Sequence, residues 1–140
     1  MKFVFAFLLS FIGLSAIAQD SWKVCLDKKV LLATSNEDEK KNVITISAAD
    51  LHKSKNFTLG YKESSPQKGW ERTIRLYDEK DTELKKQKGK KLTLKTSELK
   101  SLLNQYRIIK IFTINSPTDP NLKARVRIRR VHLCTLILQE

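Results

Sequence analysis

The residues best suited to chemistry lie near the C-terminal end, in the stretch Ala124–Leu138, ARVRIRRVHLCTLIL. It holds four of the seven arginines, one of two cysteines and one of two histidines. If the stretch is a strand, Arg125, Arg127 and Arg129 share one face at a pitch of about 7 Å. Guanidinium groups so spaced can grip repeated phosphates, sulfates or carboxylates through bidentate forks. Arg130, Arg75 and Lys123 could extend such a surface. The plainer reading is a solvated strand face whose arginines pair with neighbouring acids and protect an edge.

A second basic run, Lys85–Lys91, contains no acid and carries Gly89, which places it at a hairpin tip. A polyanion or an anionic lipid surface would feel its charge, as would the rest of a chain with 27 basic and 15 acidic residues. Two Ser-Pro loops, Ser64–Trp70 and Asn115–Asn121, are places for specificity, with Tyr61, Trp70 and Tyr77 supplying aromatic surface near the first. Asn115, Asp119 and Asn121 offer oxygens to calcium, but not at EF-hand spacing.

Catalytic machinery is not written in the sequence. His52 and His132 sit in no metal or nucleophile motif, and no glycine-rich phosphate loop is present among four glycines. No cofactor, metal or catalytic residue is assigned. Asn56-Phe57-Thr58 is a glycosylation sequon, relevant only in a eukaryotic host.

The chain begins Met1-Lys2, runs apolar from Phe3 to Phe11 and reaches Ala16-Ile17-Ala18 before Gln19-Asp20. That pattern predicts a signal peptide over residues 1–18 and export to the periplasm or extracellular space. Loss of Lys2 with the leader takes the net charge from +12 to +11. Cys25 and Cys134 both survive cleavage, and one pair in an oxidising compartment predicts one disulfide. It would close a loop of about a hundred residues, for which chain entropy allows ~4–5 kcal/mol.

The elements that must position these groups read as short β-branched alternations. They are Trp22–Leu26, Val30–Ala33, Val43–Ile46, Phe57–Tyr61, Thr73–Tyr77, Leu92–Leu94, Ile108–Ile114 and Arg125–Leu138. Ser97–Tyr106 instead follows helical spacing through Leu99, Leu102, Leu103 and Tyr106. The prediction is an all-β chain: an antiparallel β-sandwich of seven to nine strands, Greek-key or immunoglobulin-like, with one short helix, forming a single domain over 19–140.

An internal repeat supports that reading. Ile44–Leu51 (ITISAADL) lies over Leu92–Leu99 (LTLKTSEL), forty-eight positions on. Phe57–Tyr61 then matches Ile108–Phe112, Ser65-Pro66 matches Ser116-Pro117, and Arg72–Leu76 matches Ala124–Ile128. Two units and a closing strand suggest a two-fold pseudo-symmetric sandwich. Alternation would then turn Ile74, Leu76, Val126 and Ile128 inward. A bulge at Arg129-Arg130 would keep Val131, Leu133 and Ile137 inward, leaving His132 and Cys134 outside, where Cys134 could meet Cys25 on a neighbouring strand.

The expected function is an exported, non-catalytic binding or interaction module. Its basic strand face (Arg75, Arg125, Arg127, Arg129, Arg130) would meet an acidic glycan, a lipopolysaccharide or an acidic protein surface. The competing expectations are a structural or accessory exported protein without a small ligand, and a small exported hydrolase or metal enzyme. Neither genomic nucleic acid nor a transmembrane segment after cleavage is expected.

Overall fold

The structure is a computed structural model, and it describes residues 18–139. The signal-peptide expectation, apart from Ala18, lies outside the described residues. Among them, no helix is long and apolar enough to cross a membrane.

The fold is mostly β. In chain order its elements are β1 (Ser21–Leu26), β2 (Lys29–Thr34), β3 (Val43–Ser47), α1 (Ala48–Lys53), β4 (Asn56–Lys62), β5 (Trp70–Tyr77), β6 (Glu83–Lys88), β7 (Lys91–Lys95), α2 (Thr96–Tyr106), β8 (Ile108–Pro117), α3 (Pro120–Lys123) and β9 (Arg130–Gln139). A four-stranded sheet runs β2-β1-β4-β7 and a five-stranded sheet runs β3-β9-β8-β5-β6. All neighbours are antiparallel except β3 and β9, which run parallel.

Both sheets feed one hydrophobic cluster, because period-two alternation sends every second side chain to the same face. Trp22, Val24, Leu26, Phe57, Leu59, Tyr61, Leu92 and Leu94 come from the four-stranded sheet. Ile44, Ile46, Ile74, Leu76, Ile109, Ile111, Leu133, Cys134 and Leu136 come from the five-stranded one. Each fully buried Leu, Ile or Phe contributes about 1.5–3 kcal/mol over its exposed state. The Trp22 indole N–H also donates to the Leu133 carbonyl at 2.8 Å, tying β1 to β9 across 111 residues of chain.

The repeat is visible in its first half. In β3 and in β7 the first three residues alternate exposed, buried, exposed, and the fourth is buried again. Each strand then runs straight into a helix whose third residue is acidic, Asp50 or Glu98, and whose fourth is a buried leucine, Leu51 or Leu99. Ser47 caps α1 by accepting from Asp50 N–H; its counterpart Lys95 offers no such acceptor. The Thr96 hydroxyl instead donates to the Ser54 carbonyl at the end of α1. Both helices carry the chain from one sheet to the other, in opposite senses: β3 to β4 leaves the five-stranded sheet, and β7 to β8 enters it.

The second half of the repeat does not hold. Ser65-Pro66 lies in a loop, whereas Ser116-Pro117 ends strand β8. The expected strand over Arg125–Arg129 is absent: Pro120–Lys123 is a helical turn, and residues 124–129 are turn and coil leading to β9. The local reason is a helix-start signal. The Asp119 side chain accepts from Asn121 N–H at 2.9 Å, with proline in the first helical turn. Among the described residues there are therefore three helices where one was expected. That one, Ser97–Tyr106, corresponds to α2, with Leu99 and Leu103 fully buried.

The expected Cys25–Cys134 disulfide is not formed; both cysteines are free. β1 and β9 are not neighbouring strands but belong to different sheets. Cys25 lies between buried Val24 and Leu26, so it faces away from the core. The bulge in β9 falls at Leu133, not at Arg129-Arg130, because Ile111 pairs with Cys134 and Phe112 with His132. This turns Cys134 inward, fully buried beside Leu133, and turns Ile137 outward. Burial pushes the Cys134 thiol far above its ordinary range, which leaves it inert.

Candidate functional site: the outer face of the five-stranded sheet

The strands that bury Ile74, Leu76, Ile109 and Ile111 must present their alternate residues on the opposite face. Strand register aligns those residues into rows. Lys86 of β6 stands opposite Arg75 of β5, Arg75 opposite Phe112 of β8, and Phe112 opposite His132 of β9. The adjacent row is Lys88, Thr73, Ile114 and Arg130. Tyr77 faces Lys110 one step further along β5.

The rows knit through aromatic contacts. The Arg130 guanidinium lies over the Phe112 ring at 4.1 Å and 5.2 Å from the Tyr77 ring. Phe112 meets Tyr77 edge-on at 5.5 Å and His132 at 5.4 Å. Such a platform holds Arg130 flat and limits the rotamer freedom it would otherwise lose on gripping a ligand.

Acids neutralise part of this face. Arg75 Nη1 meets Glu83 at 3.2 Å, Lys88 Nζ meets Glu71 at 3.3 Å, and Arg130 Nη2 meets Asp81 at 3.1 Å. At least one partner of each pair is well exposed, so each stabilises the fold by only about 0–1 kcal/mol and can yield to a competing anion. Lys86 and Lys110 have no acidic partner among the described residues.

Of the five arginines picked out in the sequence, Arg75 and Arg130 share this face. Arg129 turns to Glu37, at 2.5 Å. Arg125 and Arg127 stand exposed in the coil after α3, where no strand can space them as a ladder. The lysine run is also placed differently from expectation. Lys85–Lys88 belongs to β6, the edge strand of the sheet, and only Gly89-Lys90 makes the turn. Gly89, at φ 103°, sits where a side chain would strain the turn.

His132 is almost fully buried under this face. Its Nε2 lies 2.8 Å from Thr135 Oγ1, and its Nδ1 has no hydrogen-bond partner. Burial lowers its pKa; Glu39 and Glu37 oppose the shift, and Lys110 adds to it. A neutral imidazole packed edge-on against Phe112 serves the platform rather than proton transfer.

A second polar cluster escaped the sequence reading. Arg72 shares the inward parity of Ile74 and Leu76, yet it carries a charge into the edge of the core. Its Nε donates to Glu63 at 2.7 Å, its Nη1 to Thr113 Oγ1 at 3.0 Å, and its guanidinium covers Tyr61 at 4.2 Å. Tyr61 stacks on Trp22, with 5.9 Å between ring centroids, and donates to Asp20 at 2.6 Å. Burial, then the Asp20 hydrogen bond, push the Tyr61 phenol far up, so it stays protonated. Burial works to raise the Asp20 pKa, but hydrogen bonds from Ser64 and Tyr61 and the nearby Arg72 hold it below the usual value. No buried polar side-chain atom of this cluster lacks a partner among the described residues, so it works as a clamp between the sheets. An arginine in register with two core residues was the signal for it in the sequence.

No group of three or more His, Cys, Asp or Glu side chains able to hold a metal occurs among the described residues. Asn115 lies in β8 and Asp119 is committed to capping α3. Compared with protein-family models and with curated proteins, the chain matches none.

Proposed function

We propose that this protein is an exported, non-catalytic binding module that recognises an acidic glycan through the outer face of its five-stranded sheet. One observation carries the reading. Arg75 and Lys86 are direct cross-strand neighbours, a like-charge pairing that destabilises a sheet. A fold tolerates such a local conflict where a partner resolves it. Export rests on the leader-like residues 1–18, and the two sheets sharing one core support the β-sandwich, Greek-key or immunoglobulin-like description.

The competing reading is an accessory structural protein whose basic face is only solvated, supported by the Glu83 and Asp81 pairs. Retention on immobilised heparin separates the two. The wild-type protein elutes late in a salt gradient, and Arg75→Ala/Arg130→Ala elutes markedly earlier, while Arg125→Ala/Arg127→Ala elutes close to wild type. If the two double variants shift equally, charge alone governs retention and the sheet-face reading fails.

A further inference from the structure

A cavity of about 330 Å³ opens on this same face where α3 stands beside the end of the β5–β8 pair. Arg75 of β5, Lys86 of β6 and Lys123 of α3 line it, together with the hydroxyl groups of Thr73, Ser116 and Thr118. The β5–β6 hairpin and a helical turn remote from it in sequence thus deliver three cations to one concave place.

The hydrogen-bond inventory of the cavity is lopsided. Lys86, Lys123 and the Ser116 hydroxyl have no partner among the described residues. Arg75 uses Nε on Thr73 Oγ1 and Nη1 on Glu83, leaving the Nη2 protons to be placed. The Thr73 oxygen accepts from Arg75, so its own proton is free to be donated, and Thr73 is 7% exposed. Thr118 spends its proton on the Gly69 carbonyl. The one carboxylate on the lining, Glu71, is paired with Lys88. Donors therefore outnumber acceptors, which suits a group that only accepts. The volume lies at the small end of ligand pockets and suits one sugar-sized group.

From this we infer that the cavity is the seat for a single sulfate or phosphate ester of a sugar, held by Lys86, Lys123, Arg75 and Ser116. The inference deepens the basic-face reading and rests on it.

The test is an amide-resolved NMR titration of the ¹⁵N-labelled protein with a sulfated heparin disaccharide, with its desulfated counterpart and with inorganic sulfate. The sulfated disaccharide shifts the amides of Lys86, Ser116, Thr118 and Lys123 to saturation, and the desulfated one does not. Inorganic sulfate shifts the same amides more weakly, which separates a glycan-borne anion from the free ion. Two charge-assisted contacts are removed in Lys86→Ala/Lys123→Ala, which weakens binding about tenfold or more. Lys123→Arg alone, which keeps the charge, binds close to wild type. Wild-type spectra in the variants confirm that the fold survives. Saturable shifts clustered around Arg130, with normal heparin retention by Lys86→Ala/Lys123→Ala, overturn the seat and leave the basic face standing. A wild-type protein with neither retention nor saturable shifts overturns both.

Discussion

The clamp around Arg72 gives the sharpest test of how the two sheets are held together. The Arg72 side chain is 9% exposed and its partner Glu63 10%, with 2.7 Å between Nε and the carboxylate. Substituting Arg72→Met keeps an apolar stem over Tyr61 and removes the charge, the Thr113 bond and the Glu63 pair together. Breaking one side of a buried pair costs ~3–5 kcal/mol, mostly because the other charge is left without compensation. Here Lys90 remains 3.5 Å from the second Glu63 oxygen, which places the loss near the lower end, about 3 kcal/mol. For a chain of this length that lowers Tm by roughly 10 °C. Urea unfolding followed by tryptophan fluorescence reads the change, since Trp22 is buried against Tyr61 in the same cluster. Adding Glu63→Gln to Arg72→Met recovers part of the loss, giving a coupling of at least about 1 kcal/mol in the double-mutant cycle. A single variant that loses under ~1 kcal/mol, or strictly additive variants, would refute the clamp.

Three further outcomes follow from the packing. Unfolded protein titrates two thiols without prior reduction, Cys134 stays unreactive in the native state, and reductant leaves Tm unchanged; a non-reducing mass two units low contradicts this. Burial depresses the pKa of His132, so the unfolded chain binds more protons in the acid range than the folded one. The stabilising contribution of the neutral ring is complete above the ordinary histidine value of ~6.5 and is lost as pH falls below it, so the urea midpoint drops between pH 7.5 and 5.5. His132→Gln flattens that slope, and an unchanged slope counts against a buried neutral histidine. The repeat predicts matched costs for Leu51→Ala and Leu99→Ala, each about 2–5 kcal/mol, while half-buried Leu102→Ala loses clearly less in the same urea assay.

Much of the β content could be read from alternation, because Trp22–Leu26, Phe57–Tyr61 and Leu92–Leu94 obey period two with one face in a common core. The helix at Thr96–Tyr106 was equally plain from its leucines. What misled was the arginine run. Arg125, Val126, Arg127, Ile128 and Arg129 alternate as a strand would, yet β8 finds its partner only from Arg130 onward, and beyond Ile114 it pairs with β5 alone. Asp119-Pro120, a helix-start signal of known chemistry, lay unread beside it. Sheet assignment was out of reach for a different reason. Nothing local distinguishes a strand that neighbours β1 from one in the other sheet, so compartment and an assumed bulge join two cysteines that the sheets keep apart. The candidate face was legible in Arg75 and Arg130, but the role of Lys86 and Lys123 depends on register between β5 and β6 and on the turn at α3.

The parallel pairing of β3 with β9 sets the order in which this protein can be made. β9 is interior to its sheet, between β3 and β8, and follows every other strand of that sheet in sequence. Until it is available, β3 has no partner and β8 lacks one of its two. The five-stranded sheet therefore cannot close before β9 has emerged, long after β3, and that half of the molecule remains pliable until it does. Such distant pairing places folding on the millisecond-to-second scale of other non-local β topologies. Loss of β9 would split the sheet rather than shorten it, stranding β3 from β8 and leaving both with bare edges open to other chains.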